Sequence, residues 1–262
     1  MIADLARELM SAWTTGGSVA EPPSSRDPDF DLDAAYAVEA ELRRMRVAAG
    51  HKVTGRKVGY ANKAVWRALK LETLAWASMY DDTVHAAAAL GEFSLADMVA
   101  PRIEPEIVFR LKSAPAGGLD AAGAIECVEW MALGFEIIDC PFPGWQFKPA
   151  DFVAAFGLHR ALVVGPPGVA GSPDQLAGFK VRLSRNGELA EEGAGKNSLR
   201  SPALCLAELA AAALRQAPAF PLEGGELVST GTLTGPQSPK PGDTWRAEVE
   251  GLAVGALELR FG

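Results

Sequence analysis

The sequence predicts an α+β fold, and three observations carry that prediction. Residues up to about 50 hold helical periodicity. From about residue 100 the chain becomes a succession of strand-like apolar runs broken by turn signals. Helices are inserted among those runs, the clearest at 201–215, where Ser201 serves as N-cap and Pro202 takes the first helical position. Helix gathered at one end of a chain and strand at the other favours α+β over alternating βαβ units. At 262 residues, 48% of them apolar, the chain has enough material for one large core. We read residues 1–262 as a single domain, with a mostly helical segment at 1–55 and a mixed, strand-rich part at 56–262.

The elements follow in order. Residues 2–14 are amphipathic and read as a helix, and Pro22–Pro28 is a polar loop. Asp31 or Asp33 caps a second helix running to roughly Arg46. It carries Ala34, Tyr36, Val38, Leu42 and Met45 near helical spacing and stops at Gly50. Gly55–Tyr60 reads as a short strand and 62–70 as a short helix. Strands are expected at 103–110, 132–139, 160–165, 177–184, 188–190, 245–250 and 255–261. Asn186-Gly187 is a hairpin turn, and Lys240-Pro241-Gly242-Asp243 turns the chain into its last strands.

Composition excludes several classes of function. A net charge of −8 and a pI near 5.0 argue against nucleic acid or an anionic membrane surface as partner. No apolar run approaches the roughly 20 residues that span a bilayer. The N-terminus lacks the basic start and unbroken apolar stretch of a secretory signal. Cys127, Cys140 and Cys205 are few and far apart, which implies reduced thiols in a cytoplasm. No phosphate-cradling glycine motif, no H-E-x-x-H and no G-x-S-x-G is present.

The chemistry concentrates in Ile103-Glu104-Pro105-Glu106-Ile107 and Phe135-Glu136-Ile137. Residues two apart on a strand share a face, so Glu104 and Glu106 point the same way. Both segments are apolar enough to be buried, and a buried carboxylate is costly unless paired or bound to a cation. Three of them without His or Cys suit a hard cation such as Mg²⁺ or Mn²⁺. The alternatives are pairing with Arg102 or Arg110, or a solvated edge. Read from the residues alone, Lys57 is a surface lysine, Asp82 a turn residue, and Thr230 and Thr232 a strand end beside a tight turn at Gly231.

Several segments taken together change the weighting. Gly55-Arg56-Lys57-Val58-Gly59-Tyr60, Tyr80-Asp81-Asp82, Pro101–Phe109, Gly134–Asp139, Ser229–Thr234 and Pro241-Gly242-Asp243 occur in an order and spacing that resemble the 2-hydroxypenta-2,4-dienoate hydratase and 4-oxalocrotonate decarboxylase family, within the fumarylacetoacetate hydrolase superfamily. The resemblance covers nearly the whole chain. It implies a mixed, strand-rich β-roll with helices packed outside, and a divalent metal held by Glu104, Glu106 and Glu136. In such enzymes the metal chelates the 1-carboxylate and 2-oxo oxygens of a 2-oxo acid and stabilises enolate-like charge. Lys57 is implied to contact the substrate carboxylate or move a proton, Asp82 to relay protons, and Thr230 and Thr232 to present hydroxyls or backbone N–H groups. Asp139 is expected to orient a metal ligand or pair with a cation, and Trp145 to cover the site. Homo-oligomers are also implied.

One segment departs from the family pattern. Where an Ala-Asp-Asn run followed by small residues, including a serine, is usual, this chain has Ala154-Ala155-Phe156-Gly157-Leu158-His159-Arg160. His159 is the residue there able to replace the missing polar groups. The expected activity is a metal-dependent hydratase acting on a 2-hydroxydienoate. The rivals are a 4-oxalocrotonate-type decarboxylase, an acylpyruvate hydrolase and, outside catalysis, a weakened relative that binds a partner enzyme of its pathway.

Overall fold

A computed structural model describes residues 2–262. Its first part is helical: α1 (Ile2–Thr15), the single turn α2 (Pro23–Arg26) and α3 (Leu32–Ala48). Asp31 is the cap of α3, its side chain accepting from the Ala34 N–H. Ala35, Tyr36, Val38 and Leu42 form the buried face of that helix, which packs on α1. Strand β1 (Val53–Gly59) follows, then α4 (Trp66–Leu69) entered through a 3₁₀ turn, then β2 (Ala75–Tyr80) and β3 (Val84–Ala86).

The carboxylate-bearing segments are the two longest strands, β4 (Pro101–Leu111) and β5 (Val128–Asp139), joined through α5 (Ala121–Glu126). After them come α6 (Pro149–Ala154), β6 (His159–Val164), α7 (Pro173–Gly178), and the hairpin of β7 (Lys180–Arg185) and β8 (Glu188–Ala194). The hairpin turns at Asn186-Gly187, where both residues have positive φ (53° and 84°). The chain ends with α8 (Pro202–Gln216), β9 (Leu227–Ser229), β10 (Thr244–Glu250) and β11 (Leu257–Arg260). Ser201 caps α8 as its sequence predicts.

Seven strands form a mixed sheet in the order β2-β1-β9-β4-β5-β6-β3, and four form a second sheet, β11-β10-β7-β8. In the large sheet β1 runs parallel to β9 and β3 parallel to β6, while the other pairs are antiparallel. Ile103, Ile107, Phe109, Leu133, Phe135 and Ile137 belong to the main apolar core. Residues between them in sequence face the other way. That second face holds a separate small cluster around Met79, Val108, Ala132, Leu162 and Leu227.

The expected strands at 103–110, 132–139 and 245–250 stand, each with slightly different ends. Helix α2, a single turn of four residues, falls inside the expected polar loop, and strands β2, β3 and β9 and helices α5, α6 and α7 went unpredicted. β2 is buried along its whole length, so it lacks the alternation that marks a strand. β3 and β9 are three residues each, and the three helices are six each, too short for a period to register.

Candidate active site

Antiparallel pairing sets Glu104 directly opposite Glu136, and Glu106 opposite Gly134. Directly opposed residues share a face, so all three carboxylates project together onto the face that carries the small apolar cluster. Oxygens of the three lie within 4.8 Å of one another. Gly134 lets Val108 of the apolar cluster pack close, since a Cβ there would stand 2.5 Å from Val108 Cγ2. Glu106 and Glu136 are fully buried, and Glu104 is 9% exposed.

Each carboxylate is held by other strands. Ser229, at the end of β9, donates from Oγ to Glu106 Oε2 at 2.5 Å, and the Gly231 N–H adds a second bond at 2.8 Å. The other oxygen, Glu106 Oε1, is buried with no hydrogen-bond partner among the described residues. Lys57 of β1 approaches Glu136 Oε2 to 3.1 Å and donates to the Gly157 carbonyl at 2.8 Å. Glu136 Oε2 is thus held by an ion-pair contact with Lys57. His159 opens β6 with Nδ1 2.9 Å from Glu136 Oε1 and Nε2 3.0 Å from Thr83 Oγ1.

Burial dominates the electrostatics. It pushes Glu104 and Glu106 up to about 8, with Glu106 adding repulsion at Glu104 and Glu136 adding it at Glu106. Glu136 is raised by the same burial, partly offset by Lys57. Burial, then the nearby Lys57 charge, holds His159 well below the usual imidazole range. The neutral His159 ring bridges Glu136 at Nδ1 and the Thr83 hydroxyl at Nε2, and that hydroxyl is itself fixed by the Tyr80 N–H at 3.1 Å and the Tyr80 carbonyl at 3.0 Å. The ring therefore orients Glu136. Replacing His159 by Ala is expected to lower Mn²⁺ affinity about 10- to 100-fold with the fold intact, measured by calorimetry and circular dichroism. Unchanged affinity would separate His159 from the carboxylate cluster.

A cavity of about 320 Å³ opens onto Glu104 and Lys57. Tyr60, Trp145, Phe147, Phe152 and Leu158 form its apolar walls. Tyr60, Trp145 and Leu158 all have positive φ (57°, 59° and 58°). Such non-glycine conformations cost of order 1–2 kcal/mol each and gather at functional sites. Phe156 and Gly157 share this conformation with Leu158, making a left-handed turn that aims the Gly157 carbonyl at Lys57. A Cβ on Gly157 would stand 2.8 Å from Lys57 Cδ.

Three expectations need correction. Asp82 does not reach this cluster: its carboxylate pairs with Arg46 and lies 3.5 Å from His51 Nδ1 on the surface. It is the neighbouring Thr83 that contacts His159. Thr230 is fully buried, and both its hydroxyl and its N–H are used on the Ile107 carbonyl, so neither is free for a ligand. Asp139 accepts from the N–H groups of Val99 and Ala100 and so fixes the entry to β4, not a metal ligand. Thr232 does line the cavity. Neither Arg102 nor Arg110 pairs with the three glutamates; Arg110 stands 3.8 Å from Glu129. Sequence reading missed Ser229, whose position two residues before the noted Gly231 was the available signal. It also missed Arg102 as a cavity residue.

Comparison with known proteins supplies the frame. Residues 58–261 match the fumarylacetoacetate (FAA) hydrolase C-terminal family. The chain belongs to this family. Among members of the FAA hydrolase family, it is 27% identical over 239 residues to 2-hydroxyhexa-2,4-dienoate hydratase of Comamonas testosteroni, covering 91% of this chain and 90% of the relative. It is 30% identical over 211 residues to 2-hydroxypent-2,4-dienoate hydratase of Pseudomonas putida, covering 80% and 94%. In three dimensions it is similar to 4-oxalocrotonate decarboxylase from Pseudomonas putida G7, solved with magnesium and adipate, with a TM-score of 0.90, 25% identity, and coverage of 100% and 97%. The fold is thus the FAA hydrolase type, mixed helices and strands around a curled sheet. No helix among the described residues is long and apolar enough to cross a membrane.

Proposed function

We propose that the protein is a divalent-metal-dependent lyase acting on a small 2-oxo or 2-hydroxydienoic acid, in the first instance a hydratase of a 2-hydroxypenta-2,4-dienoate-like compound. The observation that carries this reading is the convergence of three buried carboxylates with oxygens within 4.8 Å of one another beside a cavity, where Glu106 Oε1 has no donor and Glu136 Oε2 faces Lys57. Such atoms are costly without a partner, and an all-oxygen, three-carboxylate set fits a hard cation. Glu104, Glu106 and Glu136 would hold it, with Mg²⁺ or Mn²⁺ as the proposed ion. When bound, the ion supplies Lewis-acid stabilisation of negative charge developing on a substrate oxygen.

The protein's own groups divide the remaining work. Ser229 and Gly231 fix one oxygen of Glu106, and His159 fixes one of Glu136, so each carboxylate is oriented and keeps a second oxygen with which it would hold the cation. Lys57, drawn into the cavity floor by Gly157 and Glu136, is placed to donate to the substrate carboxylate or to pass a proton to the reacting carbon. Phe152, Phe147 and Trp145 exclude bulk water, which strengthens each of these contacts. The intact acid cluster and Lys57 weigh against a relative that only binds a partner enzyme. The unpaired thiols of Cys127, Cys140 and Cys205 suit the proposed cytoplasmic setting, and a homo-oligomeric assembly is proposed on the family's likeness.

A specific observation favours a second reading, 4-oxalocrotonate-type decarboxylation. Of the 154–160 segment only Leu158 lines the cavity, so the segment gives that wall no side-chain donor or acceptor with which to place an attacking water, and loss of CO₂ needs none. The test is an assay of 2-hydroxydienoates and their 2-oxo tautomers, with and without a distal carboxylate, following both hydrated product and released CO₂. Activity is expected to vanish on EDTA treatment and to return with Mg²⁺ or Mn²⁺. Turnover that persists after rigorous chelation would reject the metal-dependent reading.

A further inference from the structure

We propose that Trp13, in the first helix, is a positioning residue for the candidate active site: it clasps the start of β6 and so holds the left-handed turn that places Lys57 and His159. The proposal rests on the metal-site reading above. It gives a role there to the N-terminal helical segment, which lies outside residues 58–261 matched to the family.

The clasp is reciprocal. The Trp13 indole N–H donates to the His159 carbonyl at 3.0 Å, and Arg160 donates from its guanidinium to the Trp13 carbonyl at 2.6 Å. The Trp13 ring packs on Phe156 with centroids 5.1 Å apart, and the guanidinium carbons of Arg46 and Arg160 lie 4.8 and 4.9 Å from its ring. Register explains why β6 has these groups to offer. Ile137 pairs with Ala161 and Ile138 with His159, so Arg160 is a bulged residue with no partner on β5. A bulge breaks the ladder locally and re-aims a side chain, here toward α1.

The clasp holds a segment whose own backbone does not favour its shape. Phe156, Gly157 and Leu158 are consecutive left-handed residues, two of them non-glycine, and such a conformation persists where the surroundings impose it. In this turn the Gly157 carbonyl accepts from Lys57, and His159, just after it, reaches Glu136. Trp13 grips both ends of the turn, Phe156 through its ring and His159 through its N–H. The helical segment also fixes the same stretch of chain upstream. Asp151, fully buried in α6, accepts from the Ser24 N–H at 2.7 Å and from the Ser24 hydroxyl at 2.6 Å. Neither Trp13 nor Ser24 lines the cavity that opens onto Glu104 and Lys57, so the segment acts on the site through this turn and not by touching a ligand.

The test uses Trp13→Phe, which keeps a ring against Phe156 and removes the N–H, and Arg160→Met, which removes the other half of the clasp. In the metal-free full chain the imidazole nitrogen resonances of His159 should shift in both variants. Mn²⁺ affinity, measured by calorimetry, should fall about threefold to tenfold in each, part of the loss expected when an orienting partner of a metal ligand is removed altogether. The double variant should lose no more than the larger single loss, because both substitutions open one clasp. Asp31→Ala is the control. It removes the cap of α3 and lowers the melting temperature without touching the clasp, so His159 resonances and Mn²⁺ affinity should stay at wild-type values. Unchanged resonances and affinity in Trp13→Phe and Arg160→Met would overturn the proposal. The same changes appearing in Asp31→Ala would overturn it too, since general loosening of the helical segment would then suffice. A wild type that binds no Mn²⁺ rejects the metal reading instead, and the His159 resonances then decide on the clasp by themselves.

Discussion

Glu106→Gln is expected to remove most of the metal affinity and to lower kcat/KM by about two orders of magnitude, while the metal-free protein becomes more stable than its parent. The amide keeps the shape, so the bonds from Ser229 and Gly231 can still be accepted. What it removes is one of three ionisable carboxyls crowded within 4.8 Å, whose charges repel once they lose their protons. The pH dependence follows from Glu106 standing near about 8 in the fold against an ordinary value of 4.5. A carboxyl raised by folding keeps its proton in the native state. Its contribution to stability is full below about pH 4.5 and is lost as pH rises through about 8. The stability advantage of the variant should therefore widen between pH 5 and pH 9 in thermal melts without metal. Over the same range the parent's affinity for Mn²⁺ should increase as its ligands lose their protons. Excess Mn²⁺ should restore part of the variant's rate. A variant that is slow yet binds Mn²⁺ as tightly as the parent would show that Glu106 is not a ligand.

Lys57→Met should also reduce kcat/KM by about two orders of magnitude, with the opposite signature toward metal. Lys57 is 2% exposed, and its charge lies 3.1 Å from Glu136 and 4.9 Å from the Phe152 ring centroid. Methionine fills most of the same space without the charge. Taking one partner from a buried ion pair costs about 3–5 kcal/mol, so the metal-free variant should melt earlier than the parent. A divalent cation gains from the change, because a competing positive charge has left its neighbourhood. Mn²⁺ affinity should hold or rise, and saturating Mn²⁺ should recover stability but not turnover. Full activity in this variant would remove Lys57 from the reaction, and weakened Mn²⁺ binding would reassign it to construction of the site.

The carboxylate cluster was legible in the sequence because it depends on two local regularities, the two-residue period of a strand and an apolar setting that makes a lone glutamate expensive. Lys57 was legible through family resemblance; on its own it read as a surface residue. Thr230 misled because a hydroxyl in a Ser-Thr-Gly-Thr run carries no mark of which face it takes. Register gives the ligand-facing position to Ser229, opposite Lys57 and Val108, and turns Thr230 toward Ile107. Asp82 misled by one residue: the turn after β2 sends its carboxylate out to Arg46 and sends Thr83 in to His159. His159 was noticed as a replacement for missing polar groups. Its actual partner, Glu136, depends on pairing between β5 and β6, which includes a register shift at Ile137/Ile138 that no local pattern announces.

The parallel pairing of β1 with β9 has a consequence for how the chain folds. β4 and β5 are neighbours in sequence and can pair early, at little cost in loop closure. Once paired, they present Glu104, Glu106 and Glu136 to one another. Their counter-charge and hydrogen-bond donors come later, because Lys57 and Ser229 become partners only after some 170 residues of intervening chain are closed. Until then the paired strands would repel through their carboxylates unless a proton or a dication neutralised them. Refolding should accordingly run faster in mildly acidic buffer or with Mn²⁺ present, and slowest in alkaline, chelated solution, so that the ion which serves the finished site also acts as a template for assembling it.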